Sequence, residues 1–243
     1  MAYDLTTLDA PFAALKAFDW GADAAAFQPI DAAVIAAHAD ADLRTALESR
    51  FALLLADDSS RGAKEYVCRK LAMIGTAASV PGLAALLPNP THSHMARFAL
   101  ERIDAPAAGD ALRDALPKVD RTLKIGMISS LASRKDQASV PLFAALLIGD
   151  AAVAAAAAEG LGTIATAEAA AALASRDGTG PVADALTDAR LACAEALLAG
   201  GDPAAAKAIY VAIEKSVGQD PKSHRGRAVR IAATRGLLAS SRK

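Results

Sequence analysis

The sequence has few aromatic residues and almost no net charge, and each shortage argues against a class of partner. Aromatic residues make up 4% of its 243 residues, although apolar residues make up 53%, and the formal net charge is -1. Proteins that bind nucleic acids or anionic membranes usually have a strong positive field, which a chain of this net charge lacks. We therefore expect no nucleic-acid partner.

Long apolar runs and paired cysteines are also missing. The longest uncharged stretches are rich in alanine and are interrupted by Pro141, so we expect no membrane insertion. Cys68 and Cys193 lie in apolar helical contexts far apart in the chain, which predicts two free thiols in the core. No signal-peptide pattern opens the sequence, so we expect a cytoplasmic protein; an exported, periplasmic protein that lacks its signal peptide is the alternative.

What the sequence does contain is a repeat. The segment Ala-Ser-Val-Pro-Leu-Phe-Ala-Ala-Leu-Leu at 138–147 also occurs, with two residues changed, at 78–87. A weaker copy lies at 105–116. The true period is therefore about 30 residues, which is typical of stacked helical repeats. The abundant alanine favours helices that pack closely.

A leucine recurs in register in the second helix of each repeat. The four positions are Leu71, Leu100, Leu131 and Leu161. Their spacing predicts antiparallel helix pairs near 42–75, 78–103, 105–133, 138–164, 166–199 and 202–240, without any strand. The first helices of four pairs are expected to start at Ser79, Pro106, Ser139 and near Thr166, where Ser or Thr can cap them and Pro fits the first turn.

The composition divides the chain into three segments: 1–41, 42–175 and 176–243. The first contains Phe12, Phe18, Trp20 and Phe27, which favours an N-terminal cap that covers the exposed end of the array. A loose leader is the alternative, and Trp20 is also a candidate ligand platform. Residues 42–175 carry the clear repeats, and 176–243 are predicted to form longer helical hairpins of the same solenoid.

The repeat unit resembles HEAT repeats, in particular the short bacterial, phycobilisome-lyase-like type. The match is the motif Ala-Ser-Val-Pro-x-x-Ala-Ala-Leu-Leu, a short break, an alanine-rich helix and Leu-x-x-Ile-Gly, over 42–175. The resemblance implies an all-α, right-handed superhelix of about six helix pairs, with the second helices on its concave side. It also implies a protein-binding or scaffold role without a cofactor.

Two other functions stay open beside this role. The chain is a candidate spacer module of a longer, possibly exported bacterial protein. Some HEAT-type proteins are enzymes, and a bilin-lyase-like activity is the second alternative. HEAT-type hydroxylases use His-Glu pairs, and no His-Glu dipeptide occurs here. We expect a protein that is not an enzyme.

The candidate binding face consists of polar residues that lie off the apolar stripe of successive second helices. They are Lys64, Glu65, Arg69, His94, Arg97, Glu101 and Lys124. Together they predict a mixed-charge ladder for a peptide or protein partner, with a plain solvated face as the alternative. His92 and His94 diverge on a helix and lack an obvious third ligand, so we predict no metal site.

The two ends of the chain carry opposite charge. Residues 1–60 contain ten acidic and three basic residues, whereas 221–243 contain seven basic residues and no acid. The last helix, with Arg225, Arg227, Arg230 and Arg235, is therefore a candidate docking helix for an acidic partner. The alternative is weak head-to-tail association of a protein that is otherwise monomeric.

Overall fold

A computed structural model describes residues 4–174, 176–217 and 223–241 of the chain. Within these ranges the structure is all-α: it contains fourteen α-helices and five short 3-10 helices, and no strand. The predicted fold class is confirmed. The chain divides into two compact units, one ending at Ser130 and the other beginning at Leu131. The three predicted segments stay a prediction.

The first unit contains seven complete helices and most of an eighth. They are α1 (Asp9–Ala17), α2 (Gln28–Ala36), α3 (Ala41–Ala56), α4 (Arg61–Ile74), α5 (Val80–Leu86), α6 (Ser93–Arg102), α7 (Pro106–Ala115) and α8 (Arg121–Ser133), within which the units divide. Ser60 caps α4 by accepting a hydrogen bond from the Ala63 amide. The apolar stripe of α4 is buried at Ala63, Val67, Leu71 and Ile74.

The second unit contains the end of α8 and six further helices. They are α9 (Val140–Leu146), α10 (Ala151–Ile164), α11 (Ala167–Ala174), α12 (Gly180–Ala199), α13 (Pro203–Val217) and α14 (His224–Ser240). Leu131 and Leu161 are fully buried in this unit, as Leu100 is in the first, so the predicted leucine register is a core register. Cys68 and Cys193 are both free and buried, as predicted.

The predicted caps at Ser79 and Ser139 are wrong. α5 and α9 each begin one residue later, after a short 3-10 turn, and neither serine makes a side-chain capping bond. Ser79 instead donates to the Glu48 carboxylate, and Ser139 donates to Asp136. Because each turn already pairs backbone amides in the 3-10 manner, the hydroxyls are released for other partners.

The described N-terminal residues pack against α3 and α4. Leu8, Leu15 and Ile30 are fully buried, and the Phe12 ring lies 5.4 Å from that of Phe51 on α3. Lys16 forms an ion pair of 2.7 Å with Asp57 at the end of α3. On α4, the Tyr66 ring lies 4.9 Å from that of Phe27, so the segment contacts both helices.

Candidate functional site

A cleft between α4 and α6 collects several of the predicted binding residues. It has a volume of about 220 Å³. Its lining residues are Arg61, Glu65, Cys68, Arg69, Thr91, His94, Met95 and Phe98. The α4 contributors Arg61, Glu65 and Arg69 are spaced by four residues, so they share one side of the helix while the apolar stripe faces the core. The cleft thus has charged walls and an apolar floor.

Helix α4 makes this region basic. It carries Arg61, Lys64, Arg69 and Lys70 against a single acid, Glu65, in a part of the chain that is otherwise acidic. Arg69 forms an ion pair with Glu65 one turn earlier. Burial lowers the pKa of His92, and the positive charges of Lys64 and Arg61 lower it further. The positive charges of Arg61 and Lys64 on α4 thus act on His92 at the start of α6.

Of the seven predicted ladder residues, three line the same cleft: Glu65, Arg69 and His94. Lys64 is partly exposed on α4, and Lys124 is partly exposed on α8 without lining the cleft. The mixed-charge ladder over all seven residues stays a prediction.

Arg97 and Glu101 make hydrogen bonds between helices. The Arg97 guanidinium donates to the Gly126 carbonyl at 2.8 Å and to the Ser130 hydroxyl at 3.0 Å. Ser130 is fully buried and donates to the Glu101 carboxylate at 2.7 Å. Burial also lowers the pKa of Arg97. These side chains join α6 to α8, and the place of Arg97 and Glu101 on the binding face stays a prediction.

Gly126 makes this junction possible. A Cβ atom at this position would lie 2.6 Å from the Arg97 Cζ atom. Any larger residue would push the guanidinium away from the carbonyl that it binds. The sequence offers no local sign of this requirement, because Arg97 and Gly126 are distant in the chain.

A second cleft lies on the other side of Arg69, and sequence reasoning identified only part of it. It has a volume of about 280 Å³. Its lining residues are Phe18, Trp20, Ala24, Phe27, Gln28, Asp31, Gly62, Tyr66, Arg69 and Lys70. Trp20 was a candidate ligand platform from its position alone, whereas Asp31, Tyr66 and Lys70 were not predicted. We call this cleft the aromatic pocket.

A network around Asp31 holds the wall of the aromatic pocket. The Tyr66 hydroxyl donates to Asp31 at 2.5 Å, and the Lys70 ammonium forms an ion pair with the same carboxylate oxygen at 2.7 Å. Burial and the neighbouring Asp31 charge raise the pKa of Tyr66 well above its usual range, so the phenol stays protonated. Lys70 also lies 4.8 Å from the centre of the Tyr66 ring.

Glu48 is a buried carboxylate that the sequence analysis did not single out. It accepts hydrogen bonds from the Thr76 amide at 2.7 Å, the Thr76 hydroxyl at 2.9 Å and the Ser79 hydroxyl at 2.6 Å. It therefore ties α3 to the turn that precedes α5. Its helical register with the buried Leu47 and Phe51 was a signal that it faces inward.

One of the four arginines of the candidate docking helix α14 is paired within the second unit. Arg225 donates to Asp184 at 2.5 Å and to Asp188 at 2.9 Å, which joins α14 to α12 and raises the pKa of the guanidinium despite its partial burial. Arg227, Arg230 and Arg235 are exposed on the same helix. The charge of Arg225 is thus matched within its own unit. Lys222, Arg242 and Lys243, which contribute to the basic end, lie outside the described residues.

The described residues present neither a metal cluster nor a membrane-spanning helix. No three His, Cys, Asp or Glu side chains within the described ranges lie close enough together to hold a metal ion. Among the described helices, none combines the length and the apolar character needed to cross a bilayer.

Comparison with known proteins adds no family. No protein-family model matches the chain, and no curated protein matches its sequence. The HEAT resemblance, its right-handed superhelix and the head-to-tail association stay predictions.

Proposed function

We propose that this protein is a non-enzymatic interaction module with HEAT-like repeats, and that it binds a peptide or protein segment along α4 and α6. The observation that carries the proposal is the cleft where Arg61, Arg69 and His94 surround an apolar floor that includes Met95 and Phe98. Charged walls around an apolar floor suit a peptide, whose backbone and side chains need both kinds of contact.

Cys68 is the most reactive side chain in the cleft, and its environment favours binding over covalent chemistry. Burial raises the pKa of the Cys68 thiol to about 12, and the negative charge of Glu65 adds to this effect. The thiolate is the nucleophilic form of cysteine, so a thiol with so high a pKa is a poor nucleophile near neutral pH.

A peptide selection tests this function. We expect a randomised peptide library displayed on phage to yield binders to the wild-type protein. We expect the double variant Arg61→Glu/Arg69→Glu to bind the selected peptides at least about tenfold more weakly, because charge reversal at an interface opposes the partner's own charge. Direct titration by calorimetry measures the loss.

The matched control is Arg230→Glu/Arg235→Glu, which reverses two exposed arginines on α14 in the second unit. It should keep full affinity, and both double variants should keep the helical circular dichroism of the wild type. Loss of binding in the control instead would move the site to α14. A library that yields no binder at all would contradict the proposal and favour a spacer of a longer protein.

A further inference from the structure

The aromatic pocket contains the only tryptophan of the chain, and this side chain is 57% exposed. Behind it lies a row of rings that meet edge to face: the centre of the Phe18 ring lies 6.3 Å from that of Trp20, and the centre of the Phe27 ring lies 4.9 Å from that of Phe18. Phe27 in turn lies 4.9 Å from Tyr66, in an edge-to-face arrangement. An exposed tryptophan on a packed aromatic base is typical of the residues that dominate binding energy at protein interfaces.

The pocket is already organised without a ligand. Asp31 holds both the Tyr66 hydroxyl and the Lys70 ammonium, so two of the lining side chains are fixed by contacts within the first unit. The loop that carries Trp20 is fixed too, because the Trp20 amide donates to Asp19 at 2.9 Å and the Ser60 hydroxyl donates to the Phe18 carbonyl. A preformed site loses little conformational entropy when it binds.

The aromatic pocket and the α4–α6 cleft adjoin, because Arg69 lines both of them. Both lie wholly within the first unit. One extended chain segment can therefore place a side chain in the aromatic pocket and continue past Arg69 into the cleft.

The charge of this combined groove decides what kind of segment fits. Its two acids are matched, Asp31 by Lys70 and Glu65 by Arg69. Arg61 lines the cleft and carries no ion pair within the described residues, and the same holds for Lys64, which lies one turn further along α4 without lining either cleft. The groove therefore has an excess of positive charge. Complementary charge at an interface favours an acidic partner.

We infer that the groove binds an acidic peptide segment with one aromatic or large aliphatic anchor residue. The anchor packs on Trp20 in the aromatic pocket, and acidic side chains of the segment pair with Arg61 and Lys64. This inference rests on the proposed function and narrows its partner. Single-stranded nucleic acid also uses aromatic and basic groups, but its backbone would place a phosphate beside Trp20, which Asp19 and Asp23 flank, whereas the peptide carries its acidic side chains only at the Arg61 end of the groove.

Because Trp20 is the only tryptophan, its fluorescence reports on the pocket without a label. We propose titrations with four probes: a short acidic peptide with one Phe, the same peptide with Gly in place of Phe, a basic peptide with the same Phe, and oligothymidylate. The acidic Phe peptide should change the Trp20 emission. Replacing its Phe by Gly should weaken binding by about tenfold or more, since burying an aromatic side chain dominates such interfaces.

Three variants test the roles of the pocket and the cations separately by calorimetry. Trp20→Ala should reduce the affinity for the Phe peptide to that of the Gly peptide, and Trp20→Phe should restore most of it. Arg61→Glu/Lys64→Glu should abolish binding of both acidic peptides. Arg230→Glu/Arg235→Glu is the matched control and should bind all probes as the wild type does.

The outcomes separate this inference from the function on which it rests. Equal or tighter binding of the basic peptide or of oligothymidylate would overturn the inference. The inference would also be wrong if the library-selected peptides bound more weakly to Arg61→Glu/Arg69→Glu but showed neither an acidic bias nor dependence on Trp20. The proposed function would then stand. A library without binders would overturn both.

Discussion

The two units of the chain join their helices in different ways. In the first unit, polar side chains bridge neighbouring helices: Glu48 joins α3 to the turn before α5, and Arg97 joins α6 to α8. In the second unit Arg225 also bridges α14 and α12, but the contact between α10 and α12 is made by small residues. A Cβ atom on Gly162 would lie 2.6 Å from the Ala189 Cα atom, so the two helices approach closely.

The charged groove lies in the first unit, where Arg61, Glu65 and Arg69 of α4 line it. Helices that approach through glycine and alanine leave no room for a charged side chain between them. The second unit does have a cleft of about 320 Å³, but alanine and isoleucine make up most of its wall, and its Arg190 donates to the Leu173 and Arg176 carbonyls. The contrast can be tested by substitutions in each unit.

The largest effect is expected where a buried charge bridges helices. Glu48→Ala leaves the Thr76 amide, the Thr76 hydroxyl and the Ser79 hydroxyl without their acceptor, which should lower the free energy of unfolding by about 3 kcal/mol. Urea denaturation followed by circular dichroism measures the loss. The control Glu159→Ala removes an exposed glutamate of α10 and should change stability by less than about 0.5 kcal/mol. Equal effects of the two substitutions would show that the Glu48 contacts contribute nothing.

The second-largest loss of stability is expected where helices pack closely in the second unit. Gly162→Ala places a methyl group against the α12 backbone, which cannot move away easily, and should destabilise the protein by about 2 kcal/mol. Gly82→Ala in α5 is the matched control, because its new Cβ would meet only Leu55, at 3.4 Å. That control should be neutral or stabilise by up to about 1 kcal/mol through higher helix propensity. A stabilising Gly162→Ala in thermal melts would contradict the close approach of α10 and α12.

The smallest effect concerns the ion pair that attaches α1 to the end of α3. Hydrogen bonds from Lys16 and Ser59 lower the pKa of Asp57 from 3.8 to about 2. Because the folded-state pKa is the lower one, Asp57 stabilises the fold fully above its unfolded pKa, and the contribution is lost as the pH falls from 3.8 through about 2. Asp57→Asn should therefore lower the urea midpoint at neutral pH but not at pH 2. A difference that persists unchanged at pH 2 would exclude this linkage.

Helix positions were largely predictable from the sequence because helices depend on local signals. The stripe of Val67, Leu71 and Ile74 and the Ser60 cap lie within a few turns of one another, and the period of apolar residues predicts which face is buried. The same reasoning failed at Ser79, because its hydroxyl has a partner in α3, 31 residues earlier.

The candidate site was predictable only in part, because polar residues acquire their roles from other segments of the chain. Arg97 and Lys124 are alike in sequence, both basic and both off the apolar stripe, yet only Arg97 donates to the Gly126 carbonyl. Trp20 and Tyr66 meet in one pocket although 46 residues separate them in the chain. Local periodicity therefore determined the helices and their apolar faces. Only tertiary packing decided which charges are used between helices and which remain in an open groove, because a side chain's exposure depends on the helix that packs opposite to it.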